Sequence, residues 1–459
     1  MTTTTTDVQQ RRFRRAQWRT LFALMFCYLF FYLGRHNYGW AFPYMQAELG
    51  LTYGQLGVFS MVLLLCYGIG QFVNGNLGDK FGGRKMVTIG GLLSVAFNWL
   101  TSFATSFATL LVPWAANGFA QSMGWAPGSR MLSNWWDHSE RGKAFGFYVF
   151  SAGCSGILVF AICGGINMLV QQGVLSWRAF FQLPLLLLAG GCIVFYLVAR
   201  NRPEDKGFPP IEDDPELGQA IIGGEEGPMG TYTSLGQRAE ESPLASSPAP
   251  SSPLAAEDKN SVQESSLERY AQVIGNGPFL LATLSIGFES LARYGLIVWL
   301  PSHLLGPAYK DQPLGFWIGM ALPIGMALGA LSTGFISDKL FASNRSRPIA
   351  LLMTLAAIVL LLFYLLPPEW LVLGVILLFL AGFFVYGPQS CYWALCPDLL
   401  GRHRAATAIG VMNMWAYFVA AATDPLIGGV IDRYGTAPIF ALLAVSCFLG
   451  ALVILPVRR

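Results

Sequence analysis

The chain has 459 residues, 54% of them hydrophobic and only 12% charged, with a mean hydropathy of +0.49. Soluble proteins carry about 25% charged residues, so composition excludes a soluble globular domain and reads as a polytopic all-α membrane protein. The net charge of +3 rests on a few loop clusters and offers no basic face for nucleic acid. The eight cysteines fall in or beside apolar runs without disulfide or zinc spacing, and they read as packing residues.

The chain opens with a polar stretch and then RRFRRAQWR, followed by an apolar segment with no small-residue cleavage site. This reads as a cytoplasmic basic tail over residues 1–19, with a first helix that stays in the mature protein. Membrane-length apolar segments are predicted at 20–43, 57–78, 86–105, 108–130, 144–168, 178–199, 274–303, 314–337, 348–366, 370–396, 406–430 and 436–456. They give six helices in 20–202 and six in 271–459. Residues 203–270, rich in Pro, Ser, Gly and Glu, hold no apolar span and read as a disordered cytoplasmic linker. Its Ser-Pro cluster around Ser242–Pro253 reads as a tether or as a regulatory segment. Lys80, Arg84, Lys85, Arg141, Lys143, Arg345, Arg347, Arg402 and Arg404 all fall in the loops on one side, while 44–56 and 105–107 are almost free of basic residues. By the positive-inside rule both termini are expected to be cytoplasmic.

Arg35 lies deep within the first apolar run. A charge there costs several kcal/mol by the lower estimates, so it is expected to face a protein interior or a watery cavity and to mark a substrate path. Tyr28, Tyr32 and Arg35 are spaced to share one face of a continuous helix. The pattern recurs. Arg293 precedes Pro301 by the same interval as Arg35 precedes Pro43, and Gly334, Asp338 and Lys339 repeat Gly75, Asp79 and Lys80 at nearly the same offset. An internal duplication follows, and equivalent positions of helices one and seven should then face each other across a central cavity.

Glu289 lies one turn before Arg293, so the two form either a static helix pair or an ion pair that a bound anion must displace. His36, next to Arg35, is expected to point away from it and pack against a neighbouring helix. Asp424 precedes a proline and reads as a partner for freed backbone groups. Asp79 and Asp338, at helix ends beside Gly and Lys, read as gate groups able to bond a neighbouring helix N-terminus or an arginine. Asp338 reads equally as a loop anchor.

Twelve helices in two pseudo-symmetric six-helix bundles, with the Gly-x-x-x-Asp-Lys loops, resemble the major facilitator superfamily. Within it, Asn117–Ala144 (NGFAQSMGWAPGSRMLSNWWDHSERGKA), the RNRPEDKGFPPIEDD stretch, Arg293-Tyr294-Gly295, SDKLFASNR and Val385–Gln389 (VYGPQ) resemble the organophosphate:phosphate antiporter family. The resemblance implies that Arg35 and Arg293 are paired phosphate-binding arginines, and that Tyr28, Tyr32, Tyr67, Tyr386 and Tyr417 line the same cavity. The first loop, GNLGDKFGGRK, is close to the superfamily signature but has Gly83 where an arginine is usual, and within the site the departures fall at the organic end. Helix five carries Tyr148, Val149 and Ala152 where the sugar-phosphate carriers have a Trp-Asn pair and a His, Ser290 replaces a common tyrosine, and Gln71 stands where some members have lysine.

The expected function is exchange of an organophosphate for inorganic phosphate by alternating access, in the plasma membrane, by a monomer needing no cofactor or metal. A transporter-like sensor of a phosphorylated metabolite and a proton-coupled organic anion symporter are the alternatives. A membrane enzyme is not expected, since the sequence offers no nucleophile–base pair, metal cluster or phosphate-binding loop.

Overall fold

The computed structural model describes residues 5–211, 264–305, 320–365, 370–434 and 438–457. The first helix, α1 (Thr5–Phe31), begins well inside the expected polar tail. The tail has no Pro or Gly to break it, and three contacts hold it down. Phe13 stacks on Trp135 at 6.1 Å, Gln17 donates to the Trp135 carbonyl at 2.6 Å, and Arg14 pairs with Glu140. The basic segment is thus the first four turns of helix one.

The same rod is interrupted twice, at Tyr32 and at Asn37, giving the short α2 (Leu33–His36) and α3 (Tyr38–Leu49). The cause lies in the neighbouring helices. Asn98 and Asn117 donate to the Gly34 carbonyl at 3.2 and 2.9 Å, and Gln121 donates to the Phe31 carbonyl at 3.0 Å. Side chains that take main-chain carbonyls in this way break the i→i−4 ladder where protein, not lipid, surrounds it, while Tyr32 and Asn37 keep helical dihedrals.

The first half continues with α4 (Tyr53–Phe81), α5 (Gly83–Ser102), α6 (Phe107–Gln121), α7 (Trp125–Trp135), α8 (His138–Gln171) and α9 (Ala179–Val198). Thr52 with Gln55, Ser106 with Thr109, and Asp137 cap the N-termini of α4, α6 and α8. A short helix α10 (Ser266–Ile274) precedes the second half. That half comprises α11 (Gly277–Leu305), α12 (Ala321–Leu340), α13 (Ser346–Leu365), α14 (Leu371–Tyr386), α15 (Gln389–Leu400), α16 (Ala405–Tyr434) and α17 (Pro438–Ile454). With α1–α3, α6–α7 and α14–α15 each counted as one interrupted rod, these make two sets of six. Among the described residues, nine helices are long and apolar enough to cross a membrane. The rods that fall short are α5 and α6–α7, which carry the buried Ser94, Asn98, Asn117 and Gln121, and α17, which is 17 residues long.

The halves meet through two equivalent contacts, α4 against α16 and α8 against α12. Both depend on glycine. A Cβ at Gly75 would meet the Ala406 carbonyl and the Gly410 Cα, and one at Gly334 would meet the Gly142 carbonyl and the Gly146 Cα. Bare backbones let the helices approach closely, as membrane helix pairs require.

The ends of the expected disordered linker are structured. Residues 203–206 form a 3-10 turn that leads into Phe208, whose ring packs edge-on against Phe13 at 5.5 Å. Ser265 and Glu268 form a capping box that starts α10, whose Tyr270 stacks on Phe72 at 4.4 Å and donates to the Phe72 carbonyl at 2.6 Å. The boundary therefore moves inward because a cap and an aromatic anchor outweigh polar composition. Residues 212–263, with the Ser-Pro cluster, lie outside the described residues.

Candidate functional site

The interruption of helix one places Arg35. It is 3% exposed, donating to the Tyr417 hydroxyl at 3.2 Å and to Gln121 Oε1 at 3.3 Å. Its guanidinium lies over the Tyr67 ring at 4.2 Å and the Tyr32 ring at 4.9 Å, and its Nε has no hydrogen-bond partner. No carboxylate among the described residues pairs with it. A buried guanidinium held by hydroxyl, amide and ring faces keeps its positive charge uncompensated, which is what an anion site needs.

Arg293, on α11, is similarly enclosed but not similarly charged. Its Nε lies 3.8 Å from Glu289 Oε1, and its guanidinium sits 4.7 Å from the Tyr294 ring and 5.6 Å from the Tyr386 ring. Glu289 is fully buried. Its Oε2 accepts from Gln389 at 2.8 Å and from Ser290 at 3.4 Å, while Oε1 has no hydrogen-bond partner and so faces Arg293 alone. Gln389 opens α15 just after the Gly387-Pro388 interruption, and Trp393 fixes its orientation by donating to its Oε1 at 2.9 Å.

Tyr417 joins the two arginine environments. Its ring lies 4.5 Å from Tyr67 in the first half and 6.2 Å from Tyr294 in the second. Tyr32 lies within electrostatic reach of both Arg35 and Arg293. Of the residues expected from sequence, Arg35, Arg293, Tyr32, Tyr67, Tyr386 and Tyr417 form one constellation with Glu289 at its edge. Tyr28 belongs to an adjoining aromatic layer toward the chain termini. There it packs against Tyr32, Trp125 and Tyr148 at 5.7, 5.2 and 5.0 Å, and Trp125 in turn meets Trp393 of the other half edge-on at 5.6 Å.

His36 departs from expectation. It is exposed, and its ring stacks on Tyr32 at 5.4 Å and 24°. Tyr32 lies one turn earlier on the same rod and its carbonyl still accepts from the His36 amide at 2.9 Å, so the two rings share a face as in a continuous helix, and His36 stacks on its own rod instead of on a neighbouring helix. The Asp424 side chain lies outside the described residues. Sequence reasoning missed Gln121, Gln389 and Tyr294. Gln121 and Gln389 carried a usable signal, as uncommon amides within apolar runs.

At the end of the bundle where the termini lie, Asp79 caps the start of α16. It accepts from the Ala406 and Thr407 amides at 3.2 and 2.8 Å and from the Thr407 hydroxyl at 2.6 Å, with Arg130 Nε 3.3 Å away. Asp338 is its counterpart on the other contact, accepting from the Lys143 amide of α8 at 2.6 Å and pairing with Arg345. Asp398, unforeseen in the sequence, joins this second contact. It pairs with Arg141, with Arg345 at 3.1 Å and with His138 at 2.9 Å. All three carboxylates bridge the two halves.

Residues 24–423 match the Major Facilitator Superfamily. The chain belongs to this superfamily. It is 27% identical to a probable hexose phosphate transport protein of Chlamydia pneumoniae, covering 98% of this chain and 93% of that one. It is 25% identical to the glycerol-3-phosphate transporter of Bacillus subtilis, covering 95% and 91%. It is also 25% identical to the membrane sensor protein UhpC of Salmonella typhimurium, covering 98% and 94%. Among solved structures, the proton:xylose symporter XylE is 14% identical, with a TM-score of 0.66 and coverage of 96% and 95%. The human organic anion transporter MFSD10 is 13% identical, with a TM-score of 0.62 and coverage of 96% and 99%. These likenesses establish the fold of a multi-pass membrane protein with twelve helices in two six-helix bundles.

Proposed function

We propose that the chain carries an organophosphate across the plasma membrane in exchange for inorganic phosphate, by alternating access of the Arg35–Arg293 site. The observation that carries this reading is Arg35 itself, a buried guanidinium with no carboxylate partner among the described residues and with Nε unbonded. Phosphate supplies the oxygens such a group lacks, and two guanidiniums from opposite halves can each form charge-assisted bonds to one phosphoryl group. The relatives named for hexose phosphate and glycerol-3-phosphate support this substrate class.

Asp79 and Asp338 act as gate groups in this reading. Their bonds across α4–α16 and α8–α12 hold the halves together at the end bearing the termini, the cytoplasmic end by the distribution of basic loops. Releasing them lets the halves rock about the fixed site. An unliganded site keeps its net positive charge, which disfavours reorientation of the empty carrier and enforces exchange. Glu289 competes with the anion for Arg293 and gives a route to proton dependence.

The test is counterflow in proteoliposomes loaded with inorganic phosphate, challenged in turn with glycerol-3-phosphate, hexose 6-phosphates and phosphoglycerates. Saturable uptake of at least one of these, dependent on internal phosphate, is expected. Absence of phosphate-driven uptake across the set, with specific binding retained, would favour a sensor.

A further inference from the structure

The outer face formed by α1, α8 and α9 carries a groove of about 660 Å³, within the roughly 300–1,000 Å³ range of small-ligand sites. It lies on the side of the first bundle, away from Arg35 and Arg293. Its walls are Phe22, Phe26 and Leu29 of α1, Phe150 of α8, and Val194 and Val198 of α9, and Arg19 is the charged member of its lining. Phe22, Phe26 and Val194 are 53, 45 and 43% exposed, so the groove is open to the surrounding bilayer.

The end of the groove toward the chain termini is basic. Val198 closes α9, and two cations gather around that helix end. Arg200 donates to the Leu197 and Ala199 carbonyls at 3.0 and 2.8 Å, and Lys206 donates to the Val198 carbonyl at 3.3 Å. The Lys206 ammonium is held below its ordinary value by burial and then by repulsion from Arg200 and Arg19, so the three cations lie within electrostatic reach of one another. No carboxylate among the described residues pairs with Arg19, Arg200 or Lys206. The carbonyl bonds cap α9 but leave the positive charge in place.

An apolar channel that starts beneath three uncompensated cations, at the level where helices leave the membrane, matches one chemistry. A soluble anion would have no use for the groove, and a protein partner would call for a polar rim around an apolar centre. Basic pockets between membrane helices hold anionic headgroups. We propose that this groove is a site for one anionic phospholipid, with its headgroup phosphate held by Arg19, Arg200 and Lys206 and an acyl chain lying along Phe22, Phe26, Leu29 and Val194. The proposal is independent of the transport reaction.

The test titrates the purified full-length protein with phosphatidylglycerol or phosphatidylcholine and counts retained lipid by native mass spectrometry. The parent is expected to retain one phosphatidylglycerol in preference to phosphatidylcholine by tenfold or more. Arg19→Gln should lower phosphatidylglycerol affinity about fivefold, and the Arg19→Gln/Arg200→Gln/Lys206→Gln variant should lose the preference altogether. Val194→Trp, at an exposed position, keeps the cations but fills the groove, and should lose the retained phosphatidylglycerol. Arg19→Lys, which keeps the charge, should bind like the parent. Equal retention of the two lipids by the parent, or undiminished phosphatidylglycerol binding in Val194→Trp or in folded Arg19→Gln, would overturn the proposal.

Discussion

Arg35 of the first half donates a 3.2 Å hydrogen bond to the hydroxyl of Tyr417 in the second, while its guanidinium lies 4.2 Å from the Tyr67 ring on which Tyr417 packs. The cation is therefore held by groups that position it without neutralising it. The ring face and the hydroxyl of Tyr67 should separate on mutation. Tyr67→Phe keeps the ring and should leave phosphate affinity within about threefold of the parent. Tyr67→Leu removes a desolvated cation–π contact of about 2 kcal/mol and should weaken phosphate binding by about 10–30-fold. Equal effects in the two variants, measured as phosphate Kd by calorimetry, would contradict this arrangement.

Asp79→Asn removes the carboxylate that caps α16 and faces Arg130. Removing the negative charge that faces the buried Arg130 across 3.3 Å costs more than the amide can restore, so the closed arrangement should lose population. Spin labels at the exposed positions Lys80 and Arg347, one on each half, report this separation. A growth of at least tenfold in the long-distance population is expected, with slower exchange. An unchanged distance distribution would show that Asp79 is only a helix cap.

Much of this organisation is legible in the sequence, for a physical reason. An arginine within an apolar run is costly, so Arg35 and its repeat Arg293 stand out, and the repeated Gly, Asp and Lys positions reveal the duplication that sets them face to face. What is not legible comes from other helices. The breaks in the helix-one ladder around Gly34 depend on Asn98, Asn117 and Gln121, each distant in the chain. Asp398 gathers His138 and Arg141 from the start of α8 and Arg345 from just before α13, with no local spacing to announce it. The extent of α10 was hidden by linker-like composition, which a single capping box and one tyrosine override.

The linker can therefore be divided. Glu264 accepts from Arg404 at 3.0 Å and lies 3.4 Å from Arg269, and Ser266 donates to Asn76 at 2.7 Å, so α10 ties both halves together beside the Asp79 gate. Deleting residues 215–260 should leave exchange within about twofold of the parent, because that stretch is rich in Pro, Ser, Gly and Glu and offers no apolar span for packing. Extending the deletion through α10 should slow exchange at least tenfold while insertion persists. Exchange rates in matched proteoliposomes decide this, and equal loss in both deletions would contradict it.

Glu289→Gln removes the negative charge 3.8 Å from Arg293 and keeps an acceptor for Gln389. Phosphate affinity should rise about three- to tenfold at pH values where Glu289 is ionised. In the parent, affinity should fall as pH rises through the titration of Glu289. In the variant that dependence should flatten to the part due to phosphate's own ionisation. Parallel pH curves would leave Glu289 as a static partner of Arg293.

Phosphate counterflow by Arg35→Lys in proteoliposomes tests the central claim most directly. Lysine keeps the charge but loses the planar fork that reaches Tyr417, Gln121 and an anion together. The account predicts robust phosphate exchange in the parent and at least a hundredfold loss in folded, inserted Arg35→Lys. Near-parental phosphate affinity and exchange in Arg35→Lys would contradict it.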